Sequence, residues 1–172
     1  MNAPAMTSPE SPLGPPSEPP AASLFLEDIV PGQEWRSATH RITAAEIAAF
    51  SALTRDHHPL HTDEAYCRER GFPAVIAHGL YSLSLMEGLK TELRLYESTS
   101  IASLGWDKVR FRRAVLAGDV LQLRFRFVSR RESRQPDRGV VVEALELVNA
   151  AGEIVVEAEH ASLILRRAAT AG

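Results

Sequence analysis

Between Val75 and Leu89 the sequence reads VIAHGLYSLSLMEGL, and a helix built from it has almost no polar face. Ile76, Leu80, Leu83, Met86 and Leu89 form one stripe, and Ala77, Tyr81 and Leu85 widen it. A helix apolar around most of its circumference has to be buried on several sides. After Gly105 the hydrophobic period changes from helical to alternating. Val109, Phe111, Leu121, Leu123, Phe125 and Phe127 then interleave with Lys108, Arg110, Arg112, Gln122, Arg124 and Arg126. Two more strands are expected over roughly 139–148 and 154–165, either side of the turn Asn149-Ala-Ala-Gly152. One enclosed helix followed by long antiparallel strands predicts an α+β domain, a curved sheet rolled around a single helix. A half-covered sheet of this kind invites pairing with a second copy.

The N-terminal half is less regular. Pro31-Gly32 marks a turn, and Trp35 to Ile42 can run extended. Thr43-Ala-Ala-Glu46 has the capping-box form, followed by Ile47, Phe50 and Leu53 at helical spacing, so a helix is expected over 44–54. Residues 55–73, with Pro59, Gly71 and Pro73, break this periodicity. So long an irregular stretch inside a compact domain points to function. Residues 1–22 hold seven of the eleven prolines and almost no core-forming side chain, which predicts a disordered tail. The folded domain is expected over 23–167, with 168–172 a frayed end.

Composition narrows the class. No apolar run approaches the ~18 residues of a membrane-spanning helix, and the N-terminus has no signal-like apolar segment. A soluble, cytoplasmic protein without membrane attachment is expected. Cys67 is the only cysteine, which excludes an intramolecular disulfide framework and a cysteine-based zinc cage. The net charge of −3 argues against a nucleic-acid partner. Residues 105–138 nevertheless carry ten basic and four acidic groups, an island able to receive an anion.

Four of the six histidines lie between positions 57 and 78. Within Thr54-Arg55-Asp56-His57-His58-Pro59-Leu60-His61, Pro59 fixes its own φ and biases His58 toward extended geometry. The result is a stiff bracket able to aim Asp56 and His61 at one point. A carboxylate and an imidazole converging on a water are the minimum for adding or removing water. His57, His58, His61 and Asp63 also offer metal-ligand atoms, but a free loop without helical H-x-x-x-H spacing rarely preforms a cage, so no metal is expected. A structural reading, with Asp56 as a loop cap and the histidines on the surface, competes with both. Farther on, His78-Gly79 heads the apolar helix. The amide N–H groups of a first turn lack partners, and a glycine there lets a ligand reach the backbone.

Taken together, these residues resemble the MaoC-like dehydratases, which include the (R)-specific enoyl-CoA hydratases and have the hot-dog fold. The resemblance rests on Phe50, Thr54, Asp56, Pro59 and His61 in register, and then on Ile76-Ala77-His78-Gly79. The later VRFRRAVLAGDVLQLRF at 109–125 and the hairpin from Leu145 to Glu157 extend it over about 24–167. It implies that Asp56 and His61 are the catalytic pair and that the Gly79 N–H receives the thioester oxygen. It further implies an acyl-CoA substrate, no cofactor apart from the coenzyme A of that substrate, and a homodimer. Arg55 and His58 stand where the family has Gly and Asn. His58 is expected to brace the bracket, and Arg55 either to select an anionic acyl group or to lie in solvent. His78 is expected beside the substrate, and Arg130, Arg131 and Arg134 are the candidates for the coenzyme A phosphates. Two other readings fit the same fold: a subunit that binds acyl-CoA without catalysis, and a thioesterase using Asp56.

Overall fold

The computed structural model describes residues 12–167. The expectation of a frayed end at 168–172 and half of the expected tail lie outside them. Five strands form one antiparallel sheet: β1 (Glu34–Arg41), β2 (Ser100–Phe111), β3 (Val120–Glu132), β4 (Arg138–Asn149) and β5 (Ile154–Leu165), in the order β1-β3-β4-β5-β2. Among the described residues a 3-10 turn at Leu26–Asp28 and four α-helices precede β2: α1 (Ala44–Thr54), α2 (Pro59–Thr62), α3 (Glu64–Glu69) and α4 (Gly79–Glu92). Helix α4 packs on β1, β3 and β4, the hot-dog arrangement of a sheet wrapped around one helix.

The alternation along β3 sorts as its period requires. Leu121, Leu123, Phe125 and Phe127 are all buried, and they pack in one core with Met86 and Leu89 of α4 and Leu145 and Leu147 of β4. Leu80 departs from the expected stripe and is 63 % exposed. The inward face of α4 instead follows Tyr81, Ser82, Met86, Leu89 and Lys90, which is narrower than composition suggested. The helix begins at Gly79, with His78 as its N-cap. Residues 74–78 are held extended because Ile76 N–H donates to the Leu60 carbonyl (2.9 Å) and Ala77 N–H to the Val115 carbonyl (2.7 Å).

Residues 55–73 are more ordered than their aperiodicity implied. Pro59 starts α2 with His58 as its N-cap, and Asp63 caps α3 by accepting from Ala65 N–H (2.8 Å) and Tyr66 N–H (3.1 Å). Both helices are too short to carry a periodic signal. The α1 capping box forms as expected, with Glu46 N–H donating to Thr43 Oγ1 and Thr43 N–H to Glu46 Oε2.

Within 12–22 the chain is irregular but attached. Ser17 N–H donates to the Arg36 carbonyl (2.8 Å), Arg36 N–H returns a bond to Ser17 Oγ (2.9 Å), and Gln122 Nε2 donates to the Gly14 carbonyl (2.8 Å). The described half of the expected disordered tail therefore runs along β1. The cause is the free edge of β1, whose unpaired backbone groups accept any extended neighbour. Among the described residues no helix is long and apolar enough to cross a membrane.

Candidate active site

The site begins where α1 stops. Arg55 is the C-cap of α1 and takes a left-handed conformation, φ 64° and ψ 13°. This turn releases Asp56 from the helix axis. Asp56 Oδ1 then accepts from His58 N–H (3.3 Å), and His58 Nδ1 from Leu60 N–H (3.2 Å), so each residue of the bracket caps the next. His58 is thus the N-cap of α2.

His61 projects from α2, and its Nδ1–H donates to the Ile76 carbonyl at 2.7 Å. A carbonyl only accepts, so the proton sits on Nδ1 and the Nε2 lone pair is free. His78 is 3 % exposed and stacks on His61, with ring centroids 3.6 Å apart and planes 26° from parallel. Its Nε2–H reaches the Asp56 carbonyl at 3.0 Å, with Ser51 Oγ at 3.3 Å, while Nδ1 is buried without a partner. Phe50 packs against His78 from the α1 side at 5.1 Å. His78 thus holds the backbone of Asp56 and the ring of His61 at once, making it a positioning residue. Burial disfavours the His61 imidazolium most, and the neighbouring His78 and His58 add to this. The bond to Ile76 and the Asp56 carboxylate oppose the shift, but the balance lowers the pKa of His61 below its ordinary value.

One ligand atom each from Asp56, His61 and His78 lie within 4.8 Å of one another, a separation that one water can bridge. The same three groups could approach a metal ion, but the stacking works against it. Imidazole lone pairs lie in the ring plane, and an ion at roughly 2.0–2.1 Å from nitrogens of two stacked rings would sit well out of both planes. Among the described residues the earlier set of His57, His58, His61 and Asp63 is not brought together, and His58 Nδ1 and Asp63 Oδ1 accept from helix-cap amides instead.

Gly79 is the first residue of α4, so its N–H has no intrahelical partner. It borders a cavity of about 300 Å³ together with His61, Phe72, Phe111, Val115 and Val156. The Phe111 ring lies close over the glycine: a Cβ at position 79 would stand 2.9 Å from Phe111 Cζ.

Several expected residues are elsewhere. Arg55 is exposed and does not line this cavity, since its backbone role as C-cap turns its side chain away from the fold. Arg130 donates to the Leu26 carbonyl at 2.7 Å, and Arg130 and Arg131 border a different hollow near Glu27. Arg134 is exposed in the β3–β4 connection. The sheet explains this misplacement. Val120, which begins β3, follows the loop tied to Ala77, and Arg130 is ten residues down the strand, about 33 Å at 3.3 Å per residue. The basic residues that do reach the cavity are Arg112 and Arg113, at the end of β2. They belong to the same charged island, but only strand register distinguishes them from the rest of it.

A single-helix hot-dog sheet, with His61 and a helix-N-terminal amide bordering one cavity and the Asp56 carboxylate beside His61, places the chain among the hot-dog proteins. The chain belongs to the MaoC-like domain family, whose model matches residues 28–149. It is 39 % identical over 66 residues to the (R)-specific enoyl-CoA hydratase of Aeromonas caviae, a match covering 38 % of this chain and 48 % of that protein. Protein MaoC of Klebsiella aerogenes is 30 % identical over 100 residues, covering 58 % of this chain and 29 % of that protein. The matches thus span less than half the length of these two relatives. Among solved structures, the monoamine oxidase regulatory protein from Archaeoglobus fulgius superimposes with a TM-score of 0.79 at 31 % identity, over 86 % of this chain and 97 % of that one.

Proposed function

We propose that this protein catalyses the reversible addition of water to a trans-2-enoyl thioester, giving a 3-hydroxyacyl thioester. The observation that carries the proposal is that His61 and the Gly79 N–H border one cavity while Asp56 has a ligand atom within 4.8 Å of one on His61. With Asp56 ionised and His61 neutral, the site offers a water two acceptors. The water donates one hydrogen to each and turns its oxygen lone pair outward. As that oxygen bonds to Cβ, the C=C π pair moves through Cα toward the thioester oxygen, where the Gly79 N–H stabilises the enolate charge. One proton passes from water to the pair, one passes from the pair to Cα, and the pair ends as it began.

The substrate is proposed to be an acyl-CoA, with coenzyme A arriving as part of it and no separate cofactor. Arg112 and Arg113 are the groups proposed to meet its phosphates. They are about half exposed and paired with Glu157 and Glu153 respectively, carboxylates that a phosphate would displace. A homodimer is proposed through the open edge of β2, where Ile101 (38 %), Leu104 (51 %) and Phe111 (51 %) are exposed. A cytoplasmic location suits a coenzyme A-dependent activity. The test is incubation with crotonyl-CoA, following loss of the conjugated thioester and trapping any free thiol. Loss of conjugation without thiol release, abolished in Asp56→Asn, is the expected result. Thiol release would favour thioester hydrolysis, and inactivity across bulkier and anionic enoyl thioesters would favour a binding subunit.

A further inference from the structure

The proline-rich segment ahead of β1 has no part in the hydration site, yet it is fastened into the sheet. Residues 12–20 read PLGPPSEPP, five prolines in nine positions. Arg124 Nη2 donates to the Pro12 carbonyl (3.4 Å), and Pro12 lies so near the β4–β5 turn that a Cβ on Gly152 would stand 2.9 Å from Pro12 Cβ. Gln122, on the outward side of β3, is fully buried, and its Nε2 donates both to the Gly14 carbonyl (2.8 Å) and to the Ser37 carbonyl of β1 (2.9 Å). The chain then meets the free edge of β1 at Ser17. There the Ser17 N–H donates to the Arg36 carbonyl and Ser17 Oγ accepts from the Arg36 N–H, so both main-chain groups of Arg36 that face the edge are taken. Farther on, Ser98 N–H donates to Ser23 Oγ (3.0 Å) and Leu24 N–H to the Leu95 carbonyl (2.7 Å), which anchors the other end of the segment.

A second strand adds to a sheet edge only where it finds a run of unpaired N–H and C=O groups. On β1 that run is broken twice. Ser17 closes Arg36, and the β1–β3 register shifts between Arg36 and Thr39, which breaks the spacing of the groups that follow. Nor does the segment offer a replacement edge. Proline has no N–H, and the Ser17 N–H is spent on Arg36, so a strand approaching from outside meets a surface poor in donors. The other border of the sheet differs. Among the described residues no segment bonds along the free edge of β2 in this way.

We infer that residues 12–20 are an edge cap, which closes β1 to strand pairing with a second copy of the chain and confines such pairing to β2. The inference rests on the homodimer proposed above. When two β2 edges join about a two-fold axis, the two β1 edges become the outer borders of one continuous sheet. Left open, each could pair with the β1 edge of another dimer, and assembly would continue without closing. The cap ends it at two chains.

The test uses the full chain and Ser17→Pro, which removes both the N–H and the Oγ that hold Arg36. In the wild type the Arg36 amide should exchange with deuterated solvent as slowly as the β1 amides bonded to β3, and in the variant at least about tenfold faster. Sedimentation velocity from micromolar to millimolar concentration should show one wild-type size, and in the variant larger species that grow with concentration. Enoyl hydration and circular dichroism should be unchanged, which separates edge pairing from unfolding. Ser17→Ala, which removes only the Oγ acceptor, should show the same two changes in smaller degree. The wild-type mass alone reports on the β2 pair, and the change between wild type and variant reports on the cap, so either reading can fail without the other. A wild-type Arg36 amide that exchanges freely, or variants with a freed Arg36 amide and an unchanged size, overturns the cap.

Discussion

Arg55 sets the geometry of the Asp56 bracket in a backbone conformation that suits it poorly, and replacing it with glycine isolates that effect. At φ 64° and ψ 13° its Cβ crowds the following carbonyl, a left-handed penalty of roughly 1–2 kcal/mol for an L-residue. Glycine removes this penalty but gives the unfolded chain more freedom, a cost of roughly 0.4–1 kcal/mol. The arginine side chain is exposed and does not border the cavity with His61 and Gly79, so little packing is lost. The balance is a net stabilisation of about 0.8 kcal/mol in Arg55→Gly. For a domain of this size that raises Tm by about 2–3 °C. Urea titration monitored by circular dichroism measures it directly, as a higher midpoint at an unchanged m-value. Hydration rates should remain within about threefold of wild type. A variant destabilised by more than about 1 kcal/mol would refute the strain account. A change in acyl-chain preference would return Arg55 to the substrate site.

Asp56→Asn and His61→Ala should each lower kcat by about 10²–10⁴ with circular dichroism unchanged, since each removes one of the two proton acceptors. Rates within a few-fold of wild type would remove these residues from the chemistry. Gly79→Ala places a methyl 2.9 Å from Phe111 Cζ, the far end of a side chain that can shift, so the fold should persist. The same methyl crowds the amide proposed to receive the thioester oxygen, and kcat/KM should fall by about 10²; a tighter KM would contradict this. His61 has a folded pKa below its unfolded value near 6.5, so as pH falls the unfolded chain takes up that proton first. Its contribution to stability is present above pH 6.5 and is lost as pH falls through the folded pKa. In parallel, the acid limb of kcat/KM should have a midpoint below 6.5, and a midpoint above it would refute the assignment.

Local patterns were legible because they depend on near neighbours. The Thr43–Glu46 box, the β3 alternation and the Asp56-to-His61 bracket across Pro59 are set by residues a few positions apart, and each forms as read. Short elements such as α2 and α3 escaped because helices of four and six residues are made by their caps and carry no period.

The sequence by itself determined that one enclosed helix would be wrapped by alternating strands, and that a carboxylate and an imidazole would share a stiff loop. Only the tertiary structure decided how those groups work. The His61 tautomer is set by the Ile76 carbonyl fifteen residues away, and His78 stacks on that ring from the far end of the same loop region. Arg112 and Arg113 reach the cavity while Arg130 and Arg131 do not. The physical reason is the same in each case. Periodicity follows from backbone geometry repeated every few residues, whereas these contacts depend on strand register and loop closure, which become fixed only when the whole core packs.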